Sequence, residues 1–401
     1  MMADLQGLRY VARADVFKGG HLAGTITRTD GGGTSFSYDP AYLTEGRPAV
    51  ATTIPVTADA DADAAAAAGG ALPPFFTGLL PEGHRLTVLR NAAKTSLDDE
   101  LTLLLAVGAD VPGDVQVVPA GEKPAEPAAL ADTTKPEELD FAELAGALDL
   151  HGLPGVQDKA SASMLTAPLA MRRHRYILKL DPPEYPHLVP NEALHLTAAR
   201  KLKIPVAKAS VVTDKRGTGG LLVERFDRQS PDGKTWTSLP QEDAAQVMGL
   251  PPASKYNVSA EDAVNALTEA CRARPVAARN LYLQFLFAWL TGNGDLHAKN
   301  ISILGGPTGF AVAPVYDVPC TLLYGDDTLA LSIAGRTKGL KARHWTEFAE
   351  AISLPARAAA SANRIALAAA ATVDLTALPV EGSPLRGAVR ELRHRRAELD
   401  S

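Results

Sequence analysis

The residues best suited to chemistry in this 401-residue chain lie in Gly294-Asp295-Leu296-His297-Ala298-Lys299-Asn300. An aspartate five residues ahead of an asparagine, in the loop after an apolar helix, is the spacing that places a catalytic carboxylate beside a magnesium ligand in phosphoryl-transfer enzymes. Asp295 would accept or orient the proton of an attacking hydroxyl. A short hairpin, residues 301–304 against 310–313, sets Asn300 opposite about Pro314 and leaves Asp317 three residues further on. At about 3.3 Å per extended residue that gap is under roughly 10 Å, so Asn300 and Asp317 are expected to hold one magnesium ion on nucleotide phosphates. His297 and Lys299 are expected to neutralise charge on the transferred group.

An ATP-dependent transferase also needs a cation for the phosphates upstream of this loop. Lys179, in the apolar run Tyr176-Ile177-Leu178-Lys179-Leu180, has the right place, and Glu192 on the next helix would pair with it. The turn Leu153-Pro154-Gly155-Val156-Gln157-Asp158-Lys159 precedes that strand and is the candidate phosphate cover, its backbone amides facing the anion. Glu224 and Phe226, at the end of Leu221-Leu222-Val223-Glu224-Arg225-Phe226, would offer backbone groups to an adenine edge.

The elements that must position these groups are legible from periodicity. Residues up to about 50 carry short alternating runs broken by Gly19-Gly20 and Gly31-Gly32-Gly33, which is hairpin chemistry. The alanine-rich stretch 58–70 has nothing to bury and reads as a mobile loop. Helices are expected over 84–94 and 98–107. Residues 119–136, rich in proline and charge, read as a linker. The expected division is therefore a first unit over 1–118, a linker over 119–136, a sheet-bearing part over 137–237 and a helical part over 238–401. In the third part a helix over 136–148 precedes antiparallel strands within 159–166, 175–180, 206–213 and 221–226, with a helix over 191–203. In the fourth, 277–290 is apolar nearly all round, as a central buried helix must be, and Thr291-Gly292-Asn293-Gly294 stops it.

Composition narrows the function. With 46% hydrophobic and 21% charged residues the chain has ample core for several units. No window approaches the roughly 20 apolar residues needed to cross a bilayer, and the start lacks a signal-like pattern, so a cytoplasmic protein without membrane association is expected. Net charge of −6 argues against coating nucleic acid by bulk electrostatics. The basic run Arg386, Arg390, Arg393, His394, Arg395 and Arg396 reads as a solvated helix end. Cys271 and Cys320 cannot build a disulfide framework and read as buried small hydrophobes. Other motifs fail: Glu192 and His195 have di-iron spacing but lack a second such helix, and Gly233-Lys234-Thr235 lacks the opening glycine of a phosphate-binding loop.

Gly155 to Lys159, Tyr176 to Leu180, Pro190-Asn191-Glu192, Val223-Glu224-Arg225-Phe226-Asp227-Arg228, Gln241-Glu242-Asp243, Gly294 to Asn300 and Tyr316-Asp317 together resemble the HipA family of kinase toxins from HipBA toxin-antitoxin pairs. Upstream, Phe75-Phe76-Thr77-Gly78-Leu79-Leu80-Pro81-Glu82-Gly83 is similar to that family's N-terminal subdomain. The resemblance implies an α+β, two-lobed, protein-kinase-like fold, with a small β/α N-subdomain, a mixed β-sheet N-terminal lobe and a largely helical C-terminal lobe. It implies a serine/threonine protein kinase using ATP and Mg2+, with Asp295 catalytic and Asn300 and Asp317 on the metal. Pro154, Gly155, Val156, Gln157, Asp158, Lys159 and Lys179 would then hold phosphates. Glu224, Arg225 and Phe226 would contact adenine, and His297, Lys299 and Tyr316 would line the nucleotide site. The implied partners are an aminoacyl-tRNA synthetase or other translation factor as substrate, and a HipB-like helix-turn-helix antitoxin that carries the toxin to operator DNA. Two other readings are a catalytically silent co-repressor and a small-molecule phosphotransferase, since the loop also resembles that of aminoglycoside-type enzymes.

One departure from the family bears on control. The serine whose phosphorylation silences family members stands three residues, or one residue, before the loop glycine; here those positions are Gly152 and Pro154, and no hydroxyl side chain lies between His151 and Lys159. Phosphopeptide mapping after incubation with Mg-ATP is expected to find no phosphate in this segment, and self-inactivation that tracked one there would refute the prediction.

Overall fold

The computed structural model describes residues 5–30, 32–56, 64–67, 72–124, 135–148, 165–171, 174–230, 232 and 235–400. The candidate phosphate turn, Pro154 to Lys159, and the first expected strand of the sheet-bearing part, within 159–166, lie mostly or wholly outside them.

In the first unit, β1 (Arg13–Lys18), β2 (His21–Arg28) and β3 (Thr34–Tyr38) form the meander that the glycine-punctuated runs predict. A short helix α1 (Pro40–Thr44) follows, capped by the Asp39 carboxylate. Next come β4 (Ala64–Ala67), helices α2 (Pro74–Gly78), α3 (Gly83–Ala93) and α4 (Glu100–Val107), and β5 (Val115–Pro119). The sheet order is β4-β3-β2-β1-β5. Strand β4 corrects the expectation of a loop over 58–70: its alanines pair with β3 at the sheet edge, where main-chain hydrogen bonds need no large side chain. Val16, Ile26, Phe36, Phe75, Phe76, Leu103 and Leu104 form this unit's own core.

The third part starts with α5 (Phe141–Leu148), β6 (Leu165–Met171) and β7 (His174–Leu180). Helix α5 begins later than expected because Asp140 accepts the Glu143 N–H as an N-cap and residues 136–138 form a separate 3-10 turn. Then come α6 (Leu188–Ala199), β8 (Ala209–Thr213) and β9 (Gly219–Glu224), giving an antiparallel sheet of order β6-β7-β9-β8. The two-residue period of β7 divides its side chains. Tyr176, Leu178 and Leu180 pack with Phe141 and Leu222, which leaves Lys179 on the face toward α6.

Two short strands, β10 (Arg228–Gln229) and β11 (Thr237–Ser238), lead to β12 (Gln241–Asp243) and α7 (Ala244–Val247). The helical lobe follows with α8 (Ala260–Ala270) and α9 (Arg274–Thr291). Helix α9 is buried over nearly its whole circumference by Leu281, Tyr282, Phe285, Leu286, Trp289 and Leu290, each large apolar side chain worth about 1.5–3 kcal/mol. It ends at Gly292, whose φ of 77° is left-handed. A hairpin of β13 (Ser302–Gly306) and β14 (Gly309–Val312) adds β12 as its third strand. The register sets Ile303 opposite Val312, one residue from the expected pairing. Helices α10 (Ala342–Ala351), α11 (Ala356–Ala370) and α12 (Gly382–Asp400) close the lobe. Among the described residues no helix is long and apolar enough to cross a membrane. Cys271 and Cys320 are buried and free.

The basic end of α12 is not wholly solvated. Arg395 is 3% exposed; its guanidinium lies 3.7 Å from the Trp289 ring centroid and donates to the carbonyls of Trp289 and Asp327. Arg386, Arg390, Arg393 and His394 are exposed as expected.

An ion cluster joins the first unit to the end of β9. Asp227 accepts from Arg225, Arg228 and the Gly113 N–H, while both arginines also reach Asp110 and the Val111 carbonyl. Burial acts to raise the Asp227 pKa, but the two guanidinium groups hold it below the usual carboxylate range. Asp227→Ala would leave two nearly buried cations with Asp110 as their one remaining carboxylate in the cluster. It is expected to cost about 3–5 kcal/mol, read as a lower urea midpoint; an unchanged midpoint would show that the junction is not held by this cluster.

Candidate active site

The catalytic-loop spacing is a set of local hydrogen bonds. Gly292 turns the chain out of α9, and Asn293 Oδ1 accepts the Asp295 N–H at 2.9 Å. Gly294 donates its N–H to Thr321 Oγ at 2.7 Å. A Cβ on Gly294 would stand 2.5 Å from Asp326 and 2.7 Å from Thr321, so only glycine fits. Asn300 Nδ2 donates to the Asp295 carbonyl at 2.8 Å. That bond closes the loop and explains the five-residue separation: the asparagine amide fastens the aspartate backbone while its Oδ1 stays available. Asp295 is 1% exposed.

Asp317 reaches the same place from the hairpin. The Ala207 N–H donates to the Val315 carbonyl at 2.8 Å and the Val315 N–H to the Pro205 carbonyl at 2.9 Å, pinning this strand beside the start of β8. Asp317 then takes φ of 54°, a left-handed conformation that aspartate tolerates better than most residues. Asn293 Nδ2 donates to its carbonyl at 3.4 Å, so one asparagine touches both aspartates.

Lys179 Nζ donates to Glu192 Oε1 and Oε2 at 2.9 Å each and to Asp317 Oδ1 at 3.0 Å. Burial alone would lower the lysine pKa, yet Asp317 and Glu192 together carry it above its ordinary value, so the ammonium is fixed. Pro190-Asn191-Glu192 has a plain physical meaning here. Asn191 donates to the Cys320 carbonyl at 3.0 Å and accepts the Cys320 N–H at 2.9 Å, while Glu192 holds Lys179.

The remaining candidates occupy mixed positions. Phe226 and Tyr316 face each other with ring centroids 5.6 Å apart. The Tyr316 hydroxyl donates to the Lys299 carbonyl at 3.0 Å and lies 2.6 Å from Ser302 Oγ. The Glu224 N–H is already donated to the Lys208 carbonyl, which removes it as an adenine donor. The guanidinium of Arg225 is spent on Asp110 and Asp227, turned toward the first unit. Lys299 Nζ donates to the Gly78 carbonyl at 2.6 Å and lies 3.6 Å from Asp243, so in this structure it links the loop to the first unit and to β12. His297 is 2% exposed; its Nδ1 accepts the Lys299 N–H and its Nε2 lies 4.0 Å from Asp295.

Asn293, Thr321, Ser302 and Tyr256 were missed by sequence reasoning. Only Asn293 carried a local signal, sitting between the two glycines of the helix stop. Among the described residues no three His, Cys, Asp or Glu side chains converge as a metal cage. Asn300 Oδ1 and the Asp317 carboxylate suit a hard ion that takes most of its ligands from phosphate and water, as magnesium does.

Known proteins similar to this chain identify its family. A family model for the HipA-like C-terminal domain matches residues 151–373, and one for the HipA N-terminal domain matches residues 14–118. The chain is 29% identical to the Sinorhizobium fredii protein Y4mE over 362 residues, 84% of each. It is 28% identical over 287 residues, 65% of each, to the serine/threonine-protein kinase toxin HipA of Shewanella oneidensis. The solved complex of Shewanella oneidensis HipA, HipB and operator DNA contains a chain that superposes with a TM-score of 0.70 at 22% identity, covering 96% of this chain and 95% of that one. The fold is that α+β, two-lobed, kinase-like architecture, and the chain belongs to the HipA family.

Proposed function

We propose that this protein is an ATP- and magnesium-dependent serine/threonine protein kinase that acts as the toxin of a toxin-antitoxin pair. The observation that carries the reading is the meeting of Lys179, Glu192 and Asp317 at hydrogen-bonding distance beside the loop that bears Asp295 and Asn300. Lys179 would exchange its bond to Asp317 for a phosphate oxygen while Glu192 keeps it in place. Asn300 Oδ1 and the Asp317 carboxylate would hold magnesium, which when bound supplies positive charge to the phosphate oxygens. The Asp295 carboxylate would take the proton of the acceptor hydroxyl as the oxygen attacks phosphorus. Asp295 is buried, with His297 Nε2 4.0 Å from its carboxylate, which would limit the access of bulk water.

The proposed acceptor is a serine or threonine of an aminoacyl-tRNA synthetase or another translation factor, whose modification would arrest growth. The proposed partner is a HipB-like helix-turn-helix antitoxin that carries the kinase to operator DNA; support comes from the Shewanella oneidensis complex, in which HipA is assembled with HipB and its operator. The presence of Asp295, Asn300 and Asp317 together weighs against a silent co-repressor.

Incubating the purified protein with γ-labelled ATP, magnesium and a bacterial lysate is expected to label a main protein band. Asp295→Ala and Asp317→Ala should each lower incorporation by about 10²-fold or more, and EDTA should abolish it. Equal labelling by wild type and Asp317→Ala would refute the reading.

A further inference from the structure

One hydroxyl outside the recognised set reaches the reacting end of the site. Tyr256 Oη donates to Asp295 Oδ1 at 3.0 Å. Its loop is held from three sides. A 3-10 turn over Pro252–Ser254 leads into it, and the Asn257 N–H closes on the Ser254 carbonyl. Ala298 of the catalytic loop donates its N–H to the Lys255 carbonyl at 3.1 Å. Lys255 Nζ meets Glu82 of the first unit at 2.7 Å. The phenol ring stands edge-on to the His297 imidazole, with centroids 5.0 Å apart and planes at 85°.

These contacts make Tyr256 a fixed donor. His297 Nδ1 accepts the Lys299 main-chain N–H, and its Nε2 stands 4.0 Å from the same carboxylate oxygen. Burial and the neighbouring Asp295 charge push the Tyr256 phenol well above its ordinary pKa, so it keeps its proton. The last torsion of an aspartate side chain is broad and roughly two-fold. Hydrogen bonds to the Asp295 main chain from Asn293 and Asn300 therefore locate the residue without setting the direction of its oxygens. A donor on Oδ1 acts on that rotation directly.

We propose that Tyr256 is a positioning residue for phosphoryl transfer: its hydrogen bond to Asp295 Oδ1 fixes the rotation of the catalytic carboxylate toward the acceptor hydroxyl. This rests on the kinase reading. It also gives the first unit a route to the chemistry, through Glu82, Lys255 and Tyr256 to Asp295. Misplacement of a reacting group by about 1 Å can cost on the order of 10²-fold in rate, which sets the scale of the effect.

The test compares wild type, Tyr256→Phe, Asp295→Asn and the double variant, using γ-labelled ATP with lysate protein as acceptor. Tyr256→Phe keeps the ring against His297 and removes only the donor. It should lower kcat by about 10- to 10²-fold while leaving KM for Mg-ATP, the calorimetric affinity for Mg-ADP and the melting temperature unchanged. Added to Asp295→Asn, it should lower the residual rate no further, since it acts through that carboxylate. Undiminished kcat in Tyr256→Phe, an additive loss in the double variant, or phosphate recovered on Tyr256 would overturn the role while the kinase reading stood. A wild type no more active than Asp295→Asn would overturn the kinase reading and this role together.

Discussion

The ammonium of Lys179 has three protons to donate, and in this structure Glu192 takes two of them and Asp317 the third. Two acids face one cation, and burial acts to raise the Glu192 pKa, so the cluster gains from positive charge added beside it. The two acids differ in access: the Glu192 side chain is 1% exposed and that of Asp317 is 22% exposed. Releasing Glu192 from Lys179 would strand a carboxylate with no route to water, whereas Asp317 can turn to a solvent-borne cation. On the proposed function this asymmetry decides which bond yields when Mg-ATP enters. Lys179 would pass from Asp317 to a phosphate oxygen, Asp317 would be freed to hold magnesium, and the Lys179–Glu192 pair would stay as it is.

The first unit belongs to the same construction. Lys299, inside the catalytic loop, donates to the Gly78 carbonyl, and Gln246 of α7 donates to the Phe75 carbonyl. Glu242 accepts from the Thr52 N–H and hydroxyl, while Asp243 caps α7 and lies near Lys299. Gln241-Glu242-Asp243 is thus a hinge of contacts, with its strand paired to β13, its acids turned to the first unit and to Lys299, and its helix carrying Gln246 back to α2. Rearrangement of the first unit would be felt at Lys299, two residues from His297 and four from Asp295.

What was legible in the sequence divides by the range of the interaction. The relation of Asp295 to Asn300 is closed by a hydrogen bond across five residues, so its spacing survives in the chain as a pattern. The hairpin that brings Asp317 back is equally local. Lys179 and Glu192 were legible because a two-residue strand period and a following helix suffice to face them together. Arg225 was placed at the nucleotide by the resemblance and Lys299 also as a cation within the loop, but their partners Asp110 and Gly78 lie 115 and 221 residues away, and no local pattern announces a bond of that range. Tyr256 has no motif at all; its loop becomes meaningful only once packed on the catalytic loop. Arg395 was read as solvated because charge density alone does not reveal the Trp289 ring beneath it.

Two neighbouring residues on α6 set how rigidly the cleft is held. Successive positions on a helix point about 100° apart, so Asn191 and Glu192 face different partners from one backbone segment. Asn191 exchanges a pair of hydrogen bonds with Cys320, three residues beyond Asp317, and thereby belongs to the helical lobe. Glu192 grips Lys179 and thereby belongs to the sheet. Opening the cleft by moving the sheet away from Asp317 would break one of these attachments in a buried setting, where each stranded polar group costs about 1–3 kcal/mol. The distance between the lysine and the later aspartate is therefore set by the protein itself, and on the proposed function binding energy need not be spent on assembling it.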